Sequence, residues 1–363
     1  MIKKEGIVEL FFELVQIPSP SFKEERIIEF LMDFCQARGG RGERFPSREG
    51  VNLLVSFEGE LPLSGVTLCA HMDTVEDGRQ RIEPLKKGSR IVSAGETILG
   101  ADNKASIAMF LGALGFIQEN KIPHRPFSLL FSFGEEKHLA GIREFPVEHL
   151  LYSDVLLLDA SGALGDIILQ SPFHRSFEIE VRGQKAHAGI EPEKGCNAIK
   201  LAAKLIERLP QGRLDSVTTF NLGKIQGGEA TNIVPDSVSL IGEFRSLEPG
   251  RIEELTRELE ELCAQTAGTE VKFTDNYQGY RLDQADSFLG ELIQNLEKLG
   301  KKPQFIQSGG GSDANILRAR GINAVNITSG MHNPHSWDEY IEVGDLVLGA
   351  GFVALLLTGK NIL

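Results

Sequence analysis

Apolar positions over the first 170 residues fall into two rhythms. Short runs with hardly a polar break, "NLLVSFEG", "GVTLCAH", "FSLLFSFGEE" and "DVLLLDASG", have the length of strands. Continuous apolarity in a strand means burial on both faces. Between the second and third lies "ADNKASIAMFLGALGFIQEN", which predicts a helix. A second helix is predicted through "ERIIEFLMDFCQARGG", ended by its paired glycines and opened by Ser21-Phe22-Lys23-Glu24, which has the spacing of a capping box. Buried strands alternating with helices predict an α/β sheet layered between helices, an α/β/α sandwich.

The rhythm changes near Phe173. In "RSFEIEVRG", Phe177, Ile179 and Val181 alternate with Glu178, Glu180 and Arg182, the pattern of a strand with one wet face. A helix follows, with Ala198, Leu201, Ala202, Leu205, Ile206 and Leu209 on one side. Then come strand-like "VTTFNLGKIQGG" and "SVSLIGEFRS", a helix carrying Ile252, Leu255, Leu259 and Leu262, and a last strand "EVKFTDNY". The order β-α-β-β-α-β is that of a ferredoxin-like α+β unit. Residues 1–172 are therefore expected to form the first part of one domain, 173–280 an inserted unit, and 281–363 the rest of the first domain. The helix "DSFLGELIQNLEKLG" and the strand "INAVNIT" resume it.

A length of 363 residues suits two domains. Lys+Arg 38 against Asp+Glu 51 gives a net charge of −13, which argues against nucleic acid or an anionic membrane as partner. The four cysteines show no CxxC spacing, so neither a zinc knuckle nor a disulfide framework is expected. At the N-terminus, Glu9 and Glu13 interrupt the apolar run at helical spacing, and no run of 18 apolar residues occurs. An amphipathic helix rather than a signal peptide or membrane span is expected, and a cytoplasmic location with it.

The chemistry collects where apolar runs stop. His71 and Asp73 follow "VTLCA", Asp102 opens the "ASIAMF" helix, Glu135 and Glu136 follow "SLLFSFG", and Asp159 follows "DVLLL". Residues two apart share a strand face, so the Asp73 carboxylate could orient the His71 ring and leave its other nitrogen free for a metal. Ligands in open α/β sheets bind beyond the carboxyl ends of strands, where all these groups fall. Taken singly, each has an ordinary alternative: a surface turn, a helix N-cap, a solvated Glu-Glu pair. Crowded carboxylates repel unless a cation neutralises them. Oxygen ligands with imidazole and no cysteine suit Zn²⁺, Co²⁺ or Mn²⁺. Three carboxylates and a histidine exceed what one tetrahedral ion uses, which favours two ions. His332 or His335, in "TSGMHNPHSWDEYIEV", could balance the set.

"HMDTV", "GADNKAS", "GEEKHLAG", "LDASG" and "GQKAHAG" together resemble the peptidase T-like members of the co-catalytic zinc metallopeptidases. That family also holds glutamate carboxypeptidases, succinyl-diaminopimelate desuccinylase and aminoacylases. The resemblance covers nearly the whole chain, the inserted unit included. It implies that His71, Asp102 and Asp159 hold one metal, with Asp73 orienting His71. It implies that Asp102, Glu136 and His335 hold the second, with a cis peptide after Asp102 and Glu135 as general base. His335 is preferred to His332 because "HSWDEYI" matches the family's histidine, spacer and last helix. In the inserted unit the resemblance implies that His187 meets the reacting carbonyl oxygen, that Asn232 and Arg245 bind substrate, and that the loop "SGGGSDAN" around Gly310 does so too. A glycine run is by itself a weak signal, a strand-end histidine can serve local backbone groups, and an arginine on an alternating strand is often only solvated.

The implied activity is hydrolysis of an amide bond in a small peptide, most specifically removal of the N-terminal residue of a tripeptide, by a protein that dimerises through its inserted unit. An N-acyl-amino-acid amidase or a carboxypeptidase on the same metal centre is the alternative. Asp at position 159 leans toward aminopeptidases within the family. From a different class, a non-catalytic metal-binding dimer is the remaining alternative, against which the presence of Glu135 beside every ligand argues. A serine hydrolase is disfavoured, since no G-x-S-x-G occurs.

Overall fold

A computed structural model describes residues 3–361 apart from Asp77 and Arg79. The chain divides into two compact units. One comprises the described residues of Met1–Leu169, Leu282–Gln307 and Ser312–Leu363, the other Gln170–Arg281 and Ser308–Gly311.

The first unit is built on a mixed sheet. Its strands run in the order Arg41–Pro46, Val51–Phe57, Phe127–Ser132, Val66–His71, Asp154–Ala160, Asn323–Thr328 and then Ile167–Ser171, of which residues 167–169 fall in this unit. The four from Phe127–Ser132 to Asn323–Thr328 are mutually parallel. Val66–His71 and Phe127–Ser132 are buried at every residue, as strands covered on both faces must be. Helices Lys4–Val15, Ala101–Glu119 and Val343–Thr358 pack on one another, and Ala101–Glu119 lies on two of the central strands. Glu25–Gln36 covers Arg41–Pro46 and Val51–Phe57, and Asp313–Ala319 covers Asn323–Thr328. Val343–Thr358 is buried around most of its circumference, which explains its lack of a polar stripe. Among the described residues no helix is long and apolar enough to cross a membrane.

Strand Arg41–Pro46, antiparallel to the expected strand Val51–Phe57, is not predicted by the pattern. "RGERFP" is mostly polar because this is an edge strand with little to bury. The expected capping box is also absent. Helix Glu25–Gln36 starts after Glu24, with no side-chain cap. Ser21 Oγ donates instead to Asp73 Oδ2 at 2.7 Å, and Glu24 Oε1 accepts from the Phe22 and Gly134 N–H groups at 2.9 and 3.0 Å. Both side chains are drawn from the helix end toward loops that follow central strands.

The second unit has a five-stranded antiparallel sheet in the order Gly212–Arg213, Thr218–Gly227, Ser237–Ser246, Phe173–Arg182, Thr269–Tyr277. Helices Ala198–Ile206 and Pro249–Ala264 pack on it, so the β-α-β-β-α-β order is present. Phe177, Ile179 and Val181 are buried beside Ala198, Leu205, Leu255 and Leu259. At the centre the Phe177 and Phe220 rings stack 5.1 Å apart, and Phe220 lies 5.9 Å from Phe244. Ser308–Gly311 belongs to this unit although it lies beyond the expected boundary. Ser308 donates its N–H to Gln170 O at 2.9 Å, and Ser171 Oγ donates to Gly310 O at 3.1 Å.

The stacked rings yield a stability expectation. Phe177→Ala should cost about 3–5 kcal/mol, the range for emptying a buried aromatic site, read from the midpoint of urea unfolding. Glu178→Ala on the wet face of the same strand should stay within about 0.5 kcal/mol of wild type.

Candidate metal centre

Three neighbouring parallel strands deliver the acidic and imidazole groups at their carboxyl ends. His71 is the last residue of Val66–His71, Glu135 and Glu136 follow Phe127–Ser132, and Asp159 is the penultimate residue of Asp154–Ala160. Asp102 arrives from the start of Ala101–Glu119. There Asp102 and Asn103 leave helical geometry and are joined by a cis peptide bond. Gly100 stands at the helix N-cap with no side-chain cap, so Asp102 is released from capping and points at two histidines.

Its two oxygens divide the work. Asp102 Oδ1 lies 3.1 Å from His71 Nε2, which also lies 3.5 Å from Asp159 Oδ1. Asp102 Oδ2 lies 3.2 Å from His335 Nε2, which is 2.7 Å from Glu136 Oε1. Two clusters, each of one imidazole and two carboxylates, thus share one carboxylate. Ligand atoms of His71, Asp102 and Glu136 all fall within 4.8 Å of one another. His332 stands apart from this, stacked 4.6 Å from the Tyr340 ring.

The electrostatics of the cluster favour a cation. Burial works to depress His71, yet hydrogen bonding to Asp102, Asp159 and Asp73 holds it well above the usual imidazole value. His335 is raised to about 10 by hydrogen bonds to Asp102 and Glu136. Burial lifts Asp159 to about 6, with Asp102 and Glu136 pushing the same way. Burial, with the charges of Asp159, Asp313 and Glu136, drives Glu135 well above the carboxylate range. A divalent cation would neutralise these carboxylates, and the nitrogen and oxygen donors suit such an ion. Six donor atoms in two overlapping sets fit two ions.

Asp73 meets His71 through both its backbone and its side chain. His71 Nδ1 sits 2.9 Å from the backbone carbonyl of Asp73, and the Asp73 carboxylate is more distant at 3.5 Å. A ring that donates from Nδ1 keeps the Nε2 lone pair for a metal. The carboxylate also accepts the N–H groups of Glu135 and Glu136 at 2.9 and 3.2 Å.

Other supports carry no sequence signal of their own. Asn103 Nδ2 donates to Asp159 Oδ1 at 2.8 Å, and Asn326 Oδ1 accepts the Asp159 N–H at 3.0 Å. Buried Glu339 accepts the N–H groups of Leu99, Gly100 and Asp102 at 2.7, 2.8 and 3.1 Å. A Glu beside Asp338 and Tyr340 reads from sequence as a solvated strand start. Only its distance of four residues from His335 hints at a role.

The remaining candidates lie in the second unit. His187 is exposed in a short strand pair, and its Nδ1 accepts the Gly189 N–H at 3.2 Å. The neutral ring therefore carries its proton on Nε2. Asn232 is next to it, its carbonyl accepting the Ala188 N–H at 2.9 Å. Arg245 donates to Glu243 and to the carbonyl of Gly309, one residue before Gly310.

Residues 174–271, the body of the second unit, match the peptidase dimerisation domain of M20 peptidases. Aminopeptidase PepT from Bacillus cereus is 33% identical, with 99% of this chain and 100% of that one covered at a TM-score of 0.88. A tripeptidase from Staphylococcus aureus is 32% identical over 99% of this chain and 98% of that one, at a TM-score of 0.91. The uncharacterized protein YqjE of Bacillus subtilis is 32% identical, covering 98% of this chain and 99% of its own. The chain belongs to the M20 family of metallopeptidases. Within that family it is peptidase T-like, with the dimerisation domain inserted into its catalytic domain.

Glu339 gives the test of how the centre is held. Glu339→Gln turns a donor toward N–H groups that need an acceptor. Metal affinity should fall about 10- to 100-fold, the range for losing a supporting partner of a ligand, in competition with a chromophoric chelator. Far-ultraviolet circular dichroism should be unchanged.

Proposed function

We propose that this chain hydrolyses the first peptide bond of short peptides, tripeptides above all, as a cytoplasmic homodimer joined through the inserted unit. The observation that carries the reading is the Asp102 carboxylate, shared between two imidazole–carboxylate pairs with Glu135 alongside. In the proposal His71, Asp102 and Asp159 hold one divalent ion, zinc by donor type and replaceable by Co²⁺ or Mn²⁺, and Asp102, Glu136 and His335 hold the other. Such ions, when bound, lower the pKa of water and polarise a carbonyl.

The chain's own groups do the rest. Glu135, half-buried and with an affinity for protons raised by its surroundings, takes a proton from the attacking water and returns it to the leaving amine. Asp73 fixes the backbone of both glutamates, which keeps base and ligand in register. From the inserted unit, the Nε2 proton of His187 is assigned to the oxygen of the scissile carbonyl as its charge grows. Arg245 is assigned to the peptide's terminal carboxylate, a planar anion that suits a guanidinium, and Asn232 and Gly310 to its backbone. The PepT and tripeptidase likenesses support a peptide substrate with a free amino terminus.

A mass-spectrometric digest tests the substrate. Zinc- or cobalt-loaded protein meets one mixture of free di-, tri- and tetrapeptides and their N-acetylated twins. Selective loss of the N-terminal residue from free tripeptides is the expected result. Cleavage confined to acetyl groups moves the activity to an amidase, and release of C-terminal residues to a carboxypeptidase. No cleavage with metal bound removes the catalytic reading. Glu135→Gln should lower kcat by roughly 10²–10⁴, the contribution of a positioned acid–base group, while metal content measured by atomic absorption stays at wild-type level.

A further inference from the structure

We propose that Glu243 is a positioning residue for Arg245, with His174 and the Gly309 carbonyl as the other walls of its cradle, and that this cradle sets selectivity for peptides with a free terminal carboxylate. The inference rests on the assignment of Arg245 to that carboxylate.

Glu243 and Arg245 are two apart on strand Ser237–Ser246, so their side chains share a face, opposite to that of core residues Gly242 and Phe244. His174 is the direct cross-strand partner of Arg245 on Phe173–Arg182. The contacts follow from this register. Arg245 Nε donates to Glu243 Oε1 at 3.0 Å and Nη2 to Oε2 at 3.2 Å, a two-pronged pairing that fixes the guanidinium plane. Arg245 Nη1 donates to Gly309 O at 3.3 Å.

Glu243 is itself held. His174 Nε2 lies 2.9 Å from Glu243 Oε2, and the His174 ring meets Tyr277 edge to face at 5.0 Å. Hydrogen bonding from His174, then Arg245, holds the Glu243 carboxyl down at about 2, so it stays an anion throughout the working range of pH. The Tyr277 ring is closed in by Gly311, where a Cβ would come within 2.4 Å of it. Gly311 thus has a physical reason: without a Cβ it lets the end of Ser308–Gly311 lie against the Tyr277 ring, while Gly309 offers its carbonyl to Arg245. Of the five guanidinium N–H groups, these contacts use three. The other two remain for a planar anion, in a plane set before the ligand arrives.

The test compares kcat/KM for a tripeptide with that for its C-terminal amide, using metal-loaded full-length enzyme. Arg245→Ala should collapse the acid-over-amide preference; if the preference survives, the Arg245 assignment fails and the cradle has no ligand. With that collapse in hand, Glu243→Ala should lower the preference about tenfold or more, as loss of orientation of a charged contact does. The loss should lie in KM for the free acid rather than in kcat. Glu243→Gln keeps the shape and one acceptor, guards against misfolding, and should fall between. In the Arg245→Ala background Glu243→Ala should change the preference no further. A full preference in Glu243→Ala and Glu243→Gln, or equal loss for acid and amide, overturns the proposal.

Discussion

Repulsion among carboxylates that the fold forces together is the constraint on which the first unit's arrangement depends. Asp102, Asp159 and Glu136 would separate in water, and their hydrogen bonds raise the proton affinity of the two imidazoles between them. Such a cluster is tolerable only if the framework cannot relax and if positive charge arrives. The framework is rigid because its central strands are buried on both faces and close-packed. The charge is what an M20 metallopeptidase takes from its metal ions.

Much of this is legible in the sequence for a simple reason. Buried parallel strands write themselves as uninterrupted apolar runs, so a polar residue at the end of a run is conspicuous. His71, Asp159 and the Glu135–Glu136 pair stand out in this way. Asp102 is harder, since an Asp at a helix start is the ordinary mark of an N-cap. Only the surrounding motif raises it above that reading. What escapes is whatever depends on backbone geometry. Ser21 and Glu24 have capping-box spacing but serve Asp73 and Gly134. Edge strand Arg41–Pro46 is too polar to announce itself. Glu339 acts through three N–H groups, and no side-chain pattern encodes where N–H groups will converge.

The inserted unit differs because one of its faces is wet. Alternation reveals which residues enter its core, and Phe177, Ile179 and Val181 are buried as their spacing requires. On the polar face the same alternation is silent, since charged residues there are ordinarily solvated and an Arg among them attracts no notice. Cross-strand register decides which of them meet. Opposition of Arg245 to His174, with Glu243 two residues away, turns three unremarkable polar positions into a connected group.

The first unit ties its distant segments together by one means, a carboxylate that accepts backbone N–H groups from another segment. Asp73 follows one strand and accepts backbone N–H groups from the loop after the neighbouring strand, so His71 and Glu135–Glu136 cannot drift independently. Glu339, four residues after His335, accepts the N–H of Asp102 and of two residues before it, which ties the shared ligand to the segment carrying its partner histidine. Each link joins segments far apart in sequence, at 62 and 237 positions for the contacts to Glu135 and Asp102. A carboxylate suits this work because its two oxygens accept several N–H groups at once, and an amide nitrogen bonded to an anion makes a shorter, stiffer contact than one bonded to a neutral acceptor. Such acidic residues hold no metal themselves, yet the spacing of the groups that can hold it depends on them.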